Sequence, residues 1–172
     1  DRIYLLGNEG LEDEYVLCLN AAGGEKIWRT RIGNVGNPDQ RPPYPGARST
    51  PTVDGDALYA LGSDGDLARL DAKTGEIAWT KNLRTDFGGK PGVWAYSESP
   101  LVDGDVVIAT PGGDEATIVG LNKATGELVW KSPRIGLPGY ASPSIATLGG
   151  VEQLLAIGAS NRDKTELGST VG

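Results

Sequence analysis

The chain has 172 residues and a formal net charge of −7, with 16 Lys and Arg against 23 Asp and Glu; no Lys/Arg run offsets that balance, which excludes a nucleic-acid-binding surface. Histidine is absent, removing a Ser-His-Asp triad, a His-ligated zinc and an imidazole base at one stroke. Gly 26 and Pro 11 against Phe 1 and Met 0 describe short strands and many turns, an all-β composition, and no stretch is long and apolar enough to span a membrane.

In chain order, residues 2–6 form an apolar run of strand length, 8–14 an acidic loop, 15–20 a second strand, 21–24 a turn and 26–32 a third strand around Trp28. Cys18 falls at an alternating position of the second strand and reads as a small core residue; standing alone, it forms no disulfide within the chain. A connector at 33–48 carries Pro38, Pro42, Pro43 and Pro45, which keep it out of a sheet interior.

A fuller cycle follows: strand 49–53, turn Asp54-Gly55-Asp56, then strands 57–61, 66–70 and 77–83. After a second, aromatic connector at 84–97 the same grammar returns, with strand 99–102, turn Asp103-Gly104-Asp105, strands 106–109, 116–121 and 128–131, and a loop at 110–115. A third connector at 132–140 leads to strands 142–146 and 151–157, after which 161–172 is polar and predicts no further strand.

This is an internal repeat. Ala72-Lys73-Thr74-Gly75-Glu76-Ile77-Ala78-Trp79 has near copies ending at Trp28 and Trp130; Trp28, Trp79 and Trp130 stand at intervals of 51 residues, as do Gly24, Gly75 and Gly126. Each cycle is a four-stranded up-and-down meander with two apolar faces, which buries them only by packing radially against neighbours, as propeller blades do. The tight turns Asp54-Gly55-Asp56 and 72–75 then lie on one side, and the long connectors and second-to-third-strand loops on the other. The Asp-Gly pairs are hairpin turns rather than calcium loops, since the fuller spacing of a calcium loop is missing. Gly112-Gly113 precedes no helix pattern and so is no phosphate cradle.

The alternation of Ser-Pro-x-Val-Asp-Gly-Asp with Leu-Asp-Ala-x-Thr-Gly-Glu-x-x-Trp resembles the PQQ-like β-propeller repeat family, first associated with quinoprotein alcohol dehydrogenases and shared by the outer-membrane assembly lipoprotein propeller. Asp86-Phe87-Gly88-Gly89-Lys90, Tyr96-Ser97-Glu98-Ser99-Pro100 and Thr110-Pro111-Gly112-Gly113 look like a subgroup common in planctomycetes. The resemblance implies an antiparallel, four-stranded blade architecture with about three and a half blades here: a partial blade at 1–33, full blades with entry connectors at 34–83 and 84–131, half a blade at 132–157 and a non-repeat tail at 158–172. Closure into a larger propeller then needs further blades of the same polypeptide or a homo-oligomer. It implies that Trp28, Trp79 and Trp130 dock between blades, supported by the turns of Gly24, Gly75 and Gly126. It further implies a bacterial, periplasmic or otherwise extracytoplasmic setting.

The expected function is a non-catalytic binding or scaffolding module that meets a protein or polysaccharide partner through its long-loop face. The alternative is part of a quinoprotein-type oxidoreductase whose cofactor site lies outside this chain. No cofactor is expected within the chain, PQQ and calcium entering only by family analogy. The candidate residues at the axial mouth of the long-loop face are Tyr44, Arg48, Asp86, Trp94, Tyr96, Glu98 and Tyr140. Trp94 stands outside the tryptophan register, and local packing as an aromatic anchor of its glycine-rich loop stands ahead of binding for it.

Overall fold

A computed structural model describes residues 1–37 and 46–159, with the backbone alone at 169–171. The described strands gather into four antiparallel sheets. The first holds β1 (Arg2–Glu9), β2 (Asp13–Asn20) and β3 (Lys26–Asn34) in sequence order. The second holds β4 (Thr52–Asp54), β5 (Ala57–Leu61), β6 (Asp66–Asp71) and β7 (Ile77–Asn82). After a short helix, α1 (Leu83–Phe87), the third holds β8 (Leu101–Asp103), β9 (Val106–Ala109), β10 (Val119–Asn122) and β11 (Leu128–Lys131). The fourth is built on β14 (Val151–Ala159), which pairs with β12 (Leu137–Pro138), β13 (Ser144–Leu148) and β15 (Ser169–Val171).

Three blades close their last hairpin in the same way. A ladder shift falls between Cys18 and Leu19, between Arg69 and Leu70, and between Gly120 and Leu121. Directly after it stands an Asn or Asp whose side chain ties the turn. Asp71 Oδ1 accepts from the Lys73 and Thr74 N–H groups, and Asn122 Oδ1 from those of Ala124 and Thr125. Such local bonds favour a turn over continued strand. They place Gly75 and Gly126 at φ near +77° and +75°, the left-handed region glycine enters without steric cost.

Apolar side chains collect between sheets, one cluster at each seam. Val16 and Ile32 of the first sheet meet Leu58, Ala60, Ala68 and Leu70 of the second. Tyr59, Leu61 and Leu67 meet Val107, Ala109, Val119 and Leu121 of the third. A smaller cluster joins Ile108 and Ile118 to Ala156 of the fourth. Cys18 is buried. Stacked meanders with their cores at the seams are the blades of a β-propeller.

The structure differs from the sequence reading at several places. Residues 8–14 are mostly strand, because Asn8 pairs with Glu14 and Glu9 with Asp13, leaving a tight turn at 10–12. The second connector opens on α1, where Asn82 Oδ1 caps the Arg84 and Thr85 N–H groups and Gly88 ends the helix at φ +62°. The first strands of the second and third sheets shrink to three residues each, since Pro51 and Pro100 supply no donor to a ladder. The polar tail, where no strand was expected, supplies β15 on β14, its backbone bonds indifferent to side-chain polarity.

Candidate functional site

The repeated tryptophans sit at seams. The Trp28 ring lies so close to Gly75 that a Cβ there would fall 2.6 Å from it, and the Trp79 ring stands likewise against Gly126, at 2.9 Å. Each ring is backed by a tyrosine of its own blade, Tyr4 at a centroid distance of 5.9 Å and Tyr59 at 6.1 Å, both tilted. Trp79 Nε1 and the Tyr59 hydroxyl both donate to the Lys123 carbonyl, at 3.2 and 3.0 Å. The Tyr4 hydroxyl donates to the Ala72 carbonyl at 2.8 Å, whereas Trp28 Nε1 is buried without a partner. The third tryptophan, Trp130, packs against the Ile108, Ile118 and Ala156 cluster, and Gly24 is exposed with open space where a Cβ would stand.

At the starts of β4, β8 and β13 a row of hydroxyls crosses two seams. The Thr50 N–H donates to Ser99 Oγ and the Ser99 N–H to Ser142 Oγ, each at 2.8 Å. The Ser/Thr-Pro doublets at 50–51, 99–100 and 142–143 are its trace in the sequence, legible only once the blades are aligned.

The long connectors converge on one platform. Asn37, in the first, donates through Nδ2 to the Val93 carbonyl of the second at 2.9 Å and to the Gly92 carbonyl at 3.2 Å. Tyr140, in the third, accepts the Trp94 N–H on its hydroxyl at 3.3 Å, and its ring closes over Gly92. Val93, Trp94 and Tyr140 are exposed, Trp94 to 44%. Among the described residues the non-glycine positions with left-handed backbone are Asn37, Ala95 and Tyr140, at φ +52°, +65° and +61°, all in this assembly. A bulky residue held there costs on the order of 1–3 kcal/mol and persists where its surroundings over-determine it, a pattern that concentrates at functional sites.

Beneath the platform lie two buried carboxyls. Glu14 accepts from the Ser63 N–H at 2.6 Å and from the Ser63 hydroxyl. Ser63 Oγ in turn accepts the Gly36 N–H at 2.8 Å, and the Ser63 carbonyl accepts the Tyr96 N–H at 3.1 Å, so one serine ties two connectors to the second blade. Burial pushes the Glu14 carboxyl above the ordinary carboxylate range, the Ser63 bonds opposing it and Asp66 reinforcing it. Ser63 is itself 1% exposed, so the Ser63–Glu14 pair is shut away from any substrate. Glu98, also 1% exposed, accepts the Ser97 N–H at 3.0 Å; burial raises its carboxyl too, opposed by the N–H groups of Glu98, Ser97 and Tyr140. Glu98 Oε1 and Thr110 Oγ1 are buried without a hydrogen-bond partner, although the Thr110 side chain faces the carboxyl.

Of the sequence candidates, Trp94 and Tyr140 are brought together at the surface. Tyr96 and Glu98 lie inside: Tyr96 belongs to the second seam's core and donates to the Pro111 carbonyl at 3.0 Å, its phenol held protonated by burial and then by Glu98. Asp86 sits on α1 and accepts the Asn82 N–H at 2.9 Å. Half-buried Arg48 donates to Gly46 within its own connector and faces Glu14 electrostatically. Tyr44 falls outside the described residues. Asn37, Val93, Glu14, Ser63 and Thr110 were not anticipated; Glu14 was hidden by reading its segment as loop.

The fold and the repeat define a β-propeller of PQQ-like repeats. A family model described as outer membrane protein assembly factor BamB matches residues 12–164, and the chain belongs to that family. The quinoprotein ethanol dehydrogenase of Pseudomonas aeruginosa is 32% identical over 123 residues, covering 69% of this chain and 19% of that protein. The outer membrane protein assembly factor BamB of Salmonella typhimurium is 28% identical over 109 residues, covering 62% of this chain and 24% of that protein. The crystal structure of BamB from Moraxella catarrhalis superposes with a TM-score of 0.54 at 18% identity, over 89% of this chain and 39% of that one, a likeness of fold. The chain thus spans about a quarter or less of the length of these curated relatives.

Relatives therefore include both an assembly factor and dehydrogenases. Among the described residues no group of three or more Cys, Asp or Glu side chains is placed to hold a metal ion. The buried carboxyls Glu14, on β2, and Glu98, at the end of the second connector, lie apart and are spent on N–H and hydroxyl groups beside them. Among the described residues the donor set does not fit a calcium-bound quinone. No helix of the described residues is long and apolar enough to cross a membrane.

Proposed function

We infer that this chain is a non-catalytic binding and scaffolding part of an extracytoplasmic β-propeller, and that it meets a protein partner through the Val93–Trp94–Tyr140 platform. The observation that carries the reading is the convergence of three connectors, each with a left-handed non-glycine residue, on exposed aromatic side chains. An exposed tryptophan and tyrosine on a preformed support supply contact area at low ordering cost, the usual make-up of a binding anchor. Kinship with an outer membrane protein assembly factor supports a protein rather than polysaccharide partner and a place outside the cytoplasm.

The test is comparative purification of the full polypeptide from its native source, as wild type and as a Trp94→Ala/Tyr140→Ala variant of unchanged stability. A specific protein retained by the wild type and lost by the variant is the expected result; identical partner sets overturn the reading. The second reading, part of a quinoprotein oxidoreductase, rests on the 32% identity to the Pseudomonas aeruginosa dehydrogenase. It requires a quinone absorption band in the purified full polypeptide and alcohol-dependent reduction of a dye.

A further inference from the structure

We propose that Val93 and Trp94 form the tip of a rigid apolar knob that seats in an apolar pocket of a protein partner, with Asn37 as the residue that positions it. The proposal rests on the platform reading for the existence of a partner, while the positioning by Asn37 stands on hydrogen bonds within the chain.

Residues 92–95 make a tight turn, closed by the Ala95 N–H, which donates to the Gly92 carbonyl at 3.0 Å. Val93 and Trp94 occupy its two corners and are 49% and 44% exposed. Turn corners ordinarily carry Gly, Pro, Asn, Asp or Ser, whose backbone preferences or side-chain bonds order the turn from within. Val93 and Trp94 supply neither, and the order comes from the flanking connectors. Asn37 Nδ2 donates to the Val93 carbonyl at 2.9 Å and to the Gly92 carbonyl at 3.2 Å, and the Tyr140 hydroxyl accepts the Trp94 N–H at 3.3 Å. Asn37 stands at φ +52°, a conformation asparagine enters more readily than most residues. The adjoining Gly36 N–H is anchored on buried Ser63 Oγ at 2.8 Å, so the first connector brings a fixed amide to the turn.

The same bonds decide what the knob recognises. Three consecutive N–H groups, those of Trp94, Ala95 and Tyr96, are engaged by the Tyr140 hydroxyl, the Gly92 carbonyl and the Ser63 carbonyl. The Gly92 and Val93 carbonyls are engaged by Asn37. An added β-strand needs unpaired N–H and C=O groups at alternate residues of an extended edge, which this segment does not offer. A saccharide needs polar groups beside the ring it stacks on, and the Asn37 amide is committed to the backbone. What projects is an indole and a β-branched side chain on a preformed support, the make-up of an anchor that fills a desolvated pocket.

The experiment has two arms, both on the full polypeptide. In the first, hydrogen exchange read by mass spectrometry follows a peptide spanning residues 93–96 in wild type, Asn37→Asp and Asn37→Gly. The Asp variant keeps the size and loses the donor; the Gly variant keeps the left-handed backbone and loses the side chain. Protection in wild type, and exchange faster by about tenfold in both variants with the seam peptides unchanged, is the expected result. An unprotected wild-type turn, or a Gly variant as protected as wild type, overturns the positioning by Asn37. Should either variant fail a circular dichroism check for folding, the wild-type protection and the other variant decide. In the second arm a photoreactive residue replaces Val93 in the native source, alone and with Trp94→Phe or Trp94→Gln, at physiological salt and at about 1 M salt, where charge contacts are screened. The expected result is a discrete protein adduct that persists at high salt, is kept by Trp94→Phe and is lost in Trp94→Gln. An adduct to a saccharide, one lost at high salt, or one kept by Trp94→Gln overturns the apolar pocket. No adduct beside a protected turn removes the platform reading and keeps the positioning by Asn37; a salt-resistant adduct beside an unprotected turn does the reverse.

Discussion

Replacing Trp79 by alanine tests whether the repeated tryptophans hold the blades together. A tryptophan buries about 150–250 Å² when enclosed. Trp79 is half-buried, so about 100 Å² is lost, which at about 25 cal/mol/Å² amounts to ~2.5 kcal/mol. The bond to the Lys123 carbonyl adds about 1 kcal/mol and the tilted contact with Tyr59 about 0.5 kcal/mol. The sum is about 4 kcal/mol, within the range of about 3–5 kcal/mol for truncating a core aromatic. Urea unfolding followed by far-ultraviolet circular dichroism reads it: with a slope of about 2 kcal/mol/M the midpoint falls by about 2 M. Trp94→Ala is the internal control, because Trp94 is 44% exposed and in a connector, and its cost is about 1 kcal/mol or less. A Trp79→Ala loss below about 1 kcal/mol, or equal losses at the two positions, would refute the seam argument.

Three further outcomes follow from the same geometry. Trp28→Phe costs about 1 kcal/mol less than Trp79→Phe in the same urea assay, because Trp28 Nε1 has no partner to lose whereas Trp79 Nε1 donates to Lys123. Gly126→Ala is more destabilising than Gly104→Ala by about 1 kcal/mol or more, measured as midpoint differences: both glycines have positive φ, but only at Gly126 does the new Cβ press on a ring, that of Trp79. Glu14→Gln gains stability relative to wild type above the raised carboxyl pKa. A buried acid whose folded pKa is raised penalises the fold when ionised, so the gain is full at high pH and vanishes as pH falls to the unfolded value near 4.5, which thermal melts across pH will show.

The blade architecture was legible because it is written three times: the interval of 51 residues between tryptophans, and the Asp-Gly and Thr-Gly turns around them, are local signals that repeat. The tyrosine behind each tryptophan was harder to see, since Tyr4 and Tyr59 do not share that interval and the third blade places Ile108 in the corresponding paired position. The platform was half-legible. Trp94 announced itself by standing out of register, and Tyr140 by its place in a connector of the long-loop face, but what joins them is a hydroxyl-to-backbone contact between residues 46 positions apart in the chain. No periodicity encodes such a contact. Burial reversed the roles of Tyr96 and Glu98: polar atoms in a connector suggest a surface, yet the connector folds inward at Ala95, whose left-handed backbone turns Tyr96 into the core. Glu14 was missed for the converse reason, since an acidic segment reads as solvated loop until the strand pairing of 8–14 carries its carboxyl onto Ser63.

The central claim, that the converged connectors form the contact surface, is tested most directly by site-specific photo-crosslinking in the native source. A photoreactive residue replaces Trp94 in one full-length polypeptide and Asp56, in the tight β4–β5 turn, in another. The account predicts a discrete protein adduct from position 94 and none from position 56. Adducts at position 56 alone, or at neither position, contradict it.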